Sequence, residues 1–198
     1  MIDIAFDVPL PDEQSTLRRL HDRLAAAAEP SGVLDIAYRT IDSPVGPLLL
    51  VATPHGLARV AYDIENHESV LARLAAVLSP RILHAPARLD TVARQLDEYF
   101  AKQRTTFDVP VDLSLAGGFR RSVLDHLRRI GYGERESYAQ VATAVGSPRA
   151  VRAVGTACAH NPLPVVIPCH RVVRSDGTTG QYIGGAHAKT LLLELETA

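Results

Sequence analysis

The sequence predicts an α+β fold, with an N-terminal small antiparallel sheet with helices and a C-terminal, mostly helical domain. Three segments of strand length, LDIAYRTI, GPLLLVAT and LARVAYDI, follow one another between residues 34 and 64 and are separated by turn residues. Apolar residues at helical spacing dominate after residue 118. The 198 residues, 46% of them hydrophobic and 22% charged, suffice for one or two small globular domains without disulfides.

Further elements of the N-terminal part can be predicted from spacing and breakers. STLRRLHDRLAAAA predicts a helix over residues 15–28 that ends before Pro30 and Gly32. Two more helices are predicted at 66–78 and 90–102, followed by a short extended piece, TTFDVPVDL, and by a boundary at LSLAGG. The predicted division is an N-terminal helical extension (1–34), an α+β scaffold domain (35–112) and a C-terminal domain (113–198) in which we expect the function to lie.

Charge is divided unevenly along the chain. Residues 1–116 carry 11 Lys and Arg against 16 Asp and Glu, whereas residues 117–198 carry 10 against 6. The basic excess of the second part favours contact with phosphates, and an ordinary solvated basic face is an equal alternative on charge alone. No apolar run approaches the roughly 20 residues of a membrane span, and the acidic start MIDIAFDVPLPDEQ is unlike a signal peptide. We therefore expect a cytoplasmic protein with no membrane partner.

Cysteine usage indicates free thiols. The chain has two cysteines, Cys158 and Cys169, and neither belongs to a CxxC pair. The eight histidines do not cluster with them at ligand spacing, so we expect no metal site.

The second part of the chain has the spacing of a helix-turn-helix. After a helix predicted over FRRSVLDHLRRI, Ser137 can cap a short helix that ends near Val145, and a Gly-Ser turn follows. Pro148 is predicted to begin a second helix that runs to about His160. This helix is built of small residues with two projecting arginines, so it can approach a nucleic-acid groove, although many all-α proteins contain similar corners.

The segment IPCHRVV places Cys169 and His170 side by side. A reactive cysteine needs a base or a cation nearby, because a free thiol is mostly protonated at neutral pH. Neighbouring side chains of an extended segment point to opposite faces, so contact requires a turn or a bridging water. The alternative is a buried cysteine beside a surface histidine. The apolar run from Val165 to Ile167, ended by Pro168, favours a fixed support for the thiol.

Four segments together resemble a known family. SYAQVA, VRAVGTACAHNPLPVVIPCHRVV and GTTGQYIGG, followed by AKTLLLELE, are similar to the active domain of the O6-alkylguanine-DNA alkyltransferases, also called methylated-DNA-[protein]-cysteine methyltransferases. The resemblance covers about residues 117–197, and PCHRV downstream of a helix-turn-helix is highly specific. Residues 35–110 resemble the family's less similar N-terminal domain, whereas the predicted helix 15–28 has no counterpart there.

The resemblance implies single-turnover DNA repair without a cofactor. An alkyl group on O6 of guanine in duplex DNA, and also on O4 of thymine, would pass irreversibly to Cys169 after the nucleotide is flipped out of the stack. His170 would deprotonate the thiol through a water, and Glu196 would orient the histidine, with Glu194 as a competing carboxylate on another helical face. We expect this arrangement to depress the effective pKa of Cys169.

The resemblance also implies substrate contacts. Arg152 corresponds to the arginine that fills the gap left by the flipped base, and Tyr138 to the tyrosine that meets the extruded guanine. A core aromatic with a solvated hydroxyl is the alternative for Tyr138. Asn161 would tie the recognition helix to the active-site turn, and Lys189 corresponds to a lysine near the reactive site. The predicted wall of the base pocket consists of Val172 (through its carbonyl), Tyr182 and Ile183.

In this family the recognition helix enters the minor groove, so contact with DNA would be largely independent of sequence and sensitive to salt. The small residues of the helix suit that narrow space; they are Ala150, Ala153, Gly155 and Ala157. Ser137 and Arg149 are further predicted DNA contacts, and no obligate protein partner is expected. The family usually has a small residue at the position of Ile183 and a leucine at that of Ala186, which leaves the alkyl-size preference open.

Two other functions remain alternatives at this point. A non-catalytic alkylated-DNA recognition protein would lack the reactive cysteine, and Cys169 is present. A cysteine hydrolase built on Cys169 and His170 would need an oxyanion hole, and it leaves the helix-turn-helix and Arg152 unexplained.

Overall fold

The computed structural model describes residues 12–28 and 30–197. The first eleven residues, which carry most of the segment contrasted above with a signal peptide, lie outside the described residues. In the described part of the chain, no helix is long and apolar enough to cross a membrane.

A four-stranded sheet with the order β3-β2-β1-β4 forms the centre of the N-terminal part. The predicted meander is confirmed by three consecutive antiparallel strands, β1 (Ile36–Ile41), β2 (Leu48–Thr53) and β3 (Gly56–Tyr62), each paired with the next along the chain. The fourth strand, β4 (Ile82–His84), pairs parallel to β1 and was not predicted. Three residues are too few to show a period, so only its partner reveals it.

Three helices accompany this sheet, each within two residues of its predicted bounds. They are α1 (Glu13–Ala28), α2 (His67–Val77) and α3 (Asp90–Phe100). Asn66 begins α2 by accepting a hydrogen bond from the backbone N–H of Ser69 at 2.9 Å, as expected of an N-cap. α1 lies against the β4 edge, where its His21 Nε2 donates to the His84 carbonyl at 2.6 Å.

Four helices form the C-terminal part, α4 (Gly118–Leu127), α5 (Tyr138–Ala144), α6 (Val151–Ala159) and α7 (Gly185–Leu195). A two-residue strand before α5, β5 (Glu136–Ser137), pairs parallel with β6 (Val172–Val173), which follows the Cys-His motif. This short pairing holds the start of the helix-turn-helix next to the motif.

The helix-turn-helix forms with one correction. Ser137 caps α5 through a reciprocal pair of hydrogen bonds with Gln140, as predicted. The second helix begins at Val151 and not at Pro148. Residues 147–150 instead close a tight turn, in which the N–H of Ala150 donates to the carbonyl of Ser147 at 2.8 Å.

The apolar run before the cysteine is a turn and not an extended segment. Val165 adopts a φ of 72°, and the N–H of Ile167 donates to the carbonyl of Leu163 at 2.7 Å. A single 3₁₀ turn, Cys169–Arg171, follows Pro168. Because the chain turns here, Cys169 and His170 do not follow the alternation of a strand.

Candidate active site

Asn161 connects the end of the recognition helix α6 to the reactive turn. Its side-chain nitrogen donates to the carbonyl of Ile167 at 2.8 Å and to Sγ of Cys169 at 3.1 Å. Its side-chain oxygen accepts from the N–H of Leu163 at 3.0 Å. Asn161 is fully buried and Cys169 is 2% exposed, so these bonds fix the thiol in a dry setting.

His170 is oriented by a buried carboxylate. Its Nε2 lies 2.9 Å from Oε1 of Glu196, and both side chains are buried. An ionised carboxylate only accepts hydrogen bonds, so Nε2 donates and Nδ1 of the neutral ring is the acceptor. Nδ1 is buried and has no hydrogen-bond partner among the described residues. The imidazole is therefore poised to take up a proton at Nδ1.

Glu196 follows the last turn of α7, where the helix dipole disfavours a negative charge. Arg171 compensates with two hydrogen bonds, from Nε to Oε2 at 2.9 Å and from Nη2 to Oε1 at 2.8 Å. The Tyr99 hydroxyl donates to Oε1 at 2.7 Å, and the Gly133 N–H donates to Oε2 at 3.3 Å. Burial by itself would raise the pKa of Glu196, but hydrogen bonds from His170 and Arg171 outweigh it and hold that pKa well below its usual range.

None of these three donors was predicted from the sequence, and two of them are side chains. Arg171 belongs to the PCHRV motif, so its position beside the reactive pair could have been noticed. Tyr99 lies on α3, 97 residues before Glu196. Nothing in the sequence of this amphipathic helix distinguishes Tyr99 from an ordinary aromatic residue of the core. The competing carboxylate, Glu194, is exposed, so Glu196 is the one that meets His170.

The expected depression of the thiol pKa is absent from the resting protein. Burial raises the pKa of Cys169 to about 11, and the hydrogen bond from Asn161 and the charge of Lys189 offset only part of that effect. Burial also lowers the pKa of His170, against the opposing influence of Glu196. The pair therefore rests as a neutral thiol and a neutral imidazole.

A cavity of about 590 Å³ opens beside the thiol. Cys169, Tyr138, Tyr182 and Ile183 all line it, so the structure brings these predicted residues together. Val172 is fully buried and is not among the described residues that line the cavity.

Lys189 joins two segments beside the cavity. Its buried ammonium donates to the Val172 carbonyl at 2.6 Å and to the Thr179 carbonyl. It also lies 6.0 Å from the centroid of the Tyr138 ring. Burial lowers the pKa of Lys189. This contact pattern places Lys189 as a support for the loop that borders the cavity.

The N-terminal sheet reaches the wall of the cavity through Tyr62. The hydroxyls of Tyr62 and Tyr182 are 2.9 Å apart, and their rings meet edge to face. A Cβ added to Gly184 would lie 2.6 Å from the Tyr62 ring, so glycine permits this close approach. Tyr182 in turn lies edge-on to His170, with ring centroids 6.3 Å apart. One residue of the first domain thus supports the wall next to the imidazole.

The recognition helix exposes most of the residues predicted to contact DNA. Arg149, Arg152 and Ala153 are exposed, on the turn and first part of the helix. Ala157 is 3% exposed, on the same inner face as the fully buried Val154. The prediction that Ala157 suits the groove is therefore wrong, because this alanine packs into the core.

Comparison with known proteins places this geometry in a family. Residues 118–198 match the family model described as "6-O-methylguanine DNA methyltransferase, DNA binding domain", and residues 36–113 match "6-O-methylguanine DNA methyltransferase, ribonuclease-like domain". A methylated-DNA–protein-cysteine methyltransferase of Mycobacterium tuberculosis is 40% identical over 167 residues, which cover 81% of this chain and 92% of that protein. The chain belongs to the methylated-DNA–protein-cysteine methyltransferase family.

Other members of the methyltransferase family agree. The constitutive enzyme of Bacillus subtilis is 38% identical over 164 residues, covering 80% of this chain and 94% of that protein. The crystal structure of Mycobacterium tuberculosis OGT in complex with DNA matches with a TM-score of 0.72 and 38% identity, covering 81% of this chain and 92% of that one. Both the resemblance stated from the sequence and the α+β fold class are confirmed.

Proposed function

We propose that this chain repairs alkylated DNA by transferring an alkyl group from O6 of guanine in duplex DNA to Sγ of Cys169, once per molecule. The observation that carries the proposal is the buried pair of His170 and Glu196, which leaves Nδ1 of the imidazole without a partner among the described residues, in the residue directly after the buried Cys169. Family membership supplies the reaction class, and this pair supplies the means to ionise the sulfur.

The reaction makes one bond and breaks one. The thiol proton passes through a water to Nδ1 of His170, Sγ of Cys169 bonds to the alkyl carbon, and the bond from that carbon to O6 breaks. Glu196 stabilises the resulting imidazolium. The Tyr138 hydroxyl donates a hydrogen bond to the departing guanine as negative charge develops on it. The guanine anion then takes up one proton, which balances the proton lost by Cys169 and leaves neutral guanine in the DNA. A thioether is not displaced by water, so the transfer is irreversible, and the same steps serve O4-alkylthymine.

Contact with DNA is assigned to the exposed side of the helix-turn-helix. Arg152 fills the stack that the flipped nucleotide leaves, because a planar guanidinium can stack on bases. Ala153 allows close approach to the minor groove, and Ser137 and Arg149 contact the backbone. Binding is therefore largely independent of sequence and weakens with salt.

The remaining site residues have positioning roles. Asn161 holds the thiol relative to the recognition helix. Lys189 ties the buried Val172 carbonyl to the loop that borders the pocket, and Tyr182 and Ile183 form the wall. The reaction uses no cofactor. We place it in the cytoplasm, without an obligate protein partner.

Titration with an excess of methylated duplex, followed by mass spectrometry of protein and DNA, tests the proposal. One methyl group per molecule should appear on the peptide containing Cys169, and unmodified guanine should remain in the DNA. Cys169→Ser should bind the duplex but accept no methyl group, because a serine hydroxyl stays protonated. Multiple turnover, or methyl on Cys158 alone, would contradict the proposal, and binding without transfer would indicate a recognition protein.

A further inference from the structure

A second cavity, of about 410 Å³, lies between the two domains. Arg59 of β3 and Arg73 of α2 line it from the N-terminal domain, and Arg120 of α4 and His160, directly after α6, line it from the C-terminal domain. We call it the interdomain cleft. The cavity of about 590 Å³ beside the Cys169 thiol is called the reactive cavity below. Ile183 lines both the interdomain cleft and the reactive cavity, so the two adjoin.

The interdomain cleft is cationic. Glu65 is the one carboxylate among the described residues that line it, and it is paired with Arg59. Both side chains of this pair are 13% exposed, and Arg59 also donates to the carbonyl of Asn161 at 3.2 Å. The other two guanidinium charges, those of Arg73 and Arg120, are not neutralised by the groups that line the cleft.

Donors in the cleft remain available to a ligand. Arg73 is exposed and makes no hydrogen bond or ion pair with the described residues. Arg120 donates from Nη2 to the carbonyl of Leu115, which fixes the orientation of the guanidinium group. Its other N–H groups make no hydrogen bond with the described residues. His160 borders the cleft beside these arginines, and its Nδ1 donates to the Thr156 carbonyl at 2.8 Å.

We propose that the interdomain cleft binds a backbone phosphate of the same duplex whose alkylated base enters the reactive cavity. Converging guanidinium groups match the geometry and charge of a phosphate, and the shared Ile183 wall places the cleft next to the flipped nucleotide. The proposal rests on the proposed function. It makes the N-terminal domain, through Arg59 and Arg73, part of the DNA interface.

Binding of a short duplex to Arg73→Gln, measured at several salt concentrations, tests the cleft. Loss of one phosphate contact should weaken binding by about three- to tenfold and reduce the slope of log K against log salt by about 0.9. Arg23→Gln is the matched control, because Arg23 is an exposed arginine of α1, which lies at the opposite edge of the sheet. An Arg73→Gln slope equal to that of Arg23→Gln would overturn the proposal.

Duplexes with a single neutral methylphosphonate locate the contact. At one backbone position, neutralisation should weaken binding by the wild-type protein and have little further effect on Arg73→Gln, since both changes remove the same interaction. If no position shows this coupling, the phosphate does not come from that duplex. Inorganic phosphate could instead compete for the wild-type protein but not for Arg73→Gln, while the salt slope of DNA binding is the same for both proteins. This result would assign the cleft to a free anion and also overturn the proposal.

Failure of the cleft and failure of the proposed function are separable. Mass spectrometry of wild-type protein treated with an excess of methylated duplex at low salt, where binding does not depend on one phosphate contact, reports transfer to Cys169. If Cys169 is not alkylated, the proposed function fails regardless of Arg73. If Cys169 is alkylated and Arg73→Gln binds DNA like the wild-type protein, only the cleft proposal fails.

Discussion

At the scale of single residues, Glu196 and Arg171 illustrate how a buried charge is maintained. Each is nearly excluded from water, and each is the other's principal counter-ion. Removing two charges from water is costly, and their mutual attraction offsets that cost only when the remaining donors and acceptors are also satisfied. Tyr99, Gly133 and His170 satisfy the carboxylate, so its lowered pKa reflects a complete set of partners.

Glu196→Gln should lower the free energy of unfolding by about 3–5 kcal/mol, because it leaves the buried Arg171 without a counter-ion. Urea denaturation monitored by circular dichroism measures the loss. Methyl transfer should slow as well, since a neutral amide stabilises the imidazolium of His170 less well.

A double variant serves as the control for this prediction. Glu196→Leu combined with Arg171→Met removes both charges and should cost less stability than Glu196→Gln alone. If Glu196→Gln unfolds at the wild-type urea concentration, the buried ion pair does not have the importance assigned to it.

At the scale of elements, the recognition helix divides its residues between two faces. Val154 and Ala157 pack inward, while Arg152 and Ala153 face outward. The inward face fixes the helix against α4 and α5, which leaves the outward arginine free for a role in the vacated base stack.

Arg152→Ala should slow repair of methylated duplex DNA by the equivalent of about 1–3 kcal/mol, the usual value of a stacking contact. Reaction with free O6-benzylguanine requires no flipping and should slow far less. Single-turnover rates with both substrates measure the difference. Equal slowing of the two reactions would refute the flipping role.

The loop that walls the reactive cavity depends on a contact with the sheet. Tyr62→Phe removes the hydroxyl that bonds Tyr182, a change worth about 1 kcal/mol, and should loosen the loop around Gly184. The ratio of benzyl to methyl transfer rates should then rise by up to about fivefold, because a looser wall accepts the larger group more readily.

Tyr38→Phe is the control for the loop. Tyr38 lies on β1, and its ring meets His84 of β4 at the far edge of the sheet. It should leave the benzyl-to-methyl ratio unchanged. A ratio for Tyr62→Phe that equals this control would show that the hydroxyl contact does not shape the pocket.

At the scale of the whole molecule, stability should be greatest between about pH 6.5 and 9. The pKa of His170 is lowered from its ordinary 6.5, so the unfolded chain binds a proton first as pH falls, and stability decreases on the acid side. Glu196 adds to this loss below its ordinary pKa of 4.5, for the same reason. The pKa of Cys169 is raised from 9.0 to about 11, so the unfolded chain loses its proton first as pH rises, and stability decreases on the alkaline side.

Urea midpoints measured from pH 4 to 11 check this profile. His170→Gln should reduce the loss that begins near pH 6.5 without abolishing it, because burial also lowers the pKa of His84, and it should keep the alkaline loss. Cys169→Ser should reduce the alkaline loss without abolishing it, because burial also raises the pKa of Cys158. A flat profile across both limits would contradict the burial of these groups.

Much of the molecule follows from local sequence. The cap at Ser137, the Gly-Ser turn and the apolar spacing of the helices act over one or two turns of chain, so they could be read directly. The Cys169 and His170 motif, with its resemblance to the alkyltransferases, likewise indicated the reaction. The division of the chain into three parts stays a prediction.

Only the tertiary structure decided features that join distant segments. Strand β4 exists because β1 pairs with it, and Tyr99 reaches Glu196 across 97 residues. Burial depends on all the neighbours of a residue. It raises the pKa of the Cys169 thiol, although the motif alone suggested a lowered pKa, and Ala157 lies on the buried face of its helix. The interdomain cleft arises in the same way, since the chain carries Arg73 and Arg120 far apart and only folding brings them to one cavity. The chemical groups of the site are determined by the residue types in a short stretch of sequence. The exclusion of water from these groups, and the proximity of residues distant in the chain, are properties of the packed molecule.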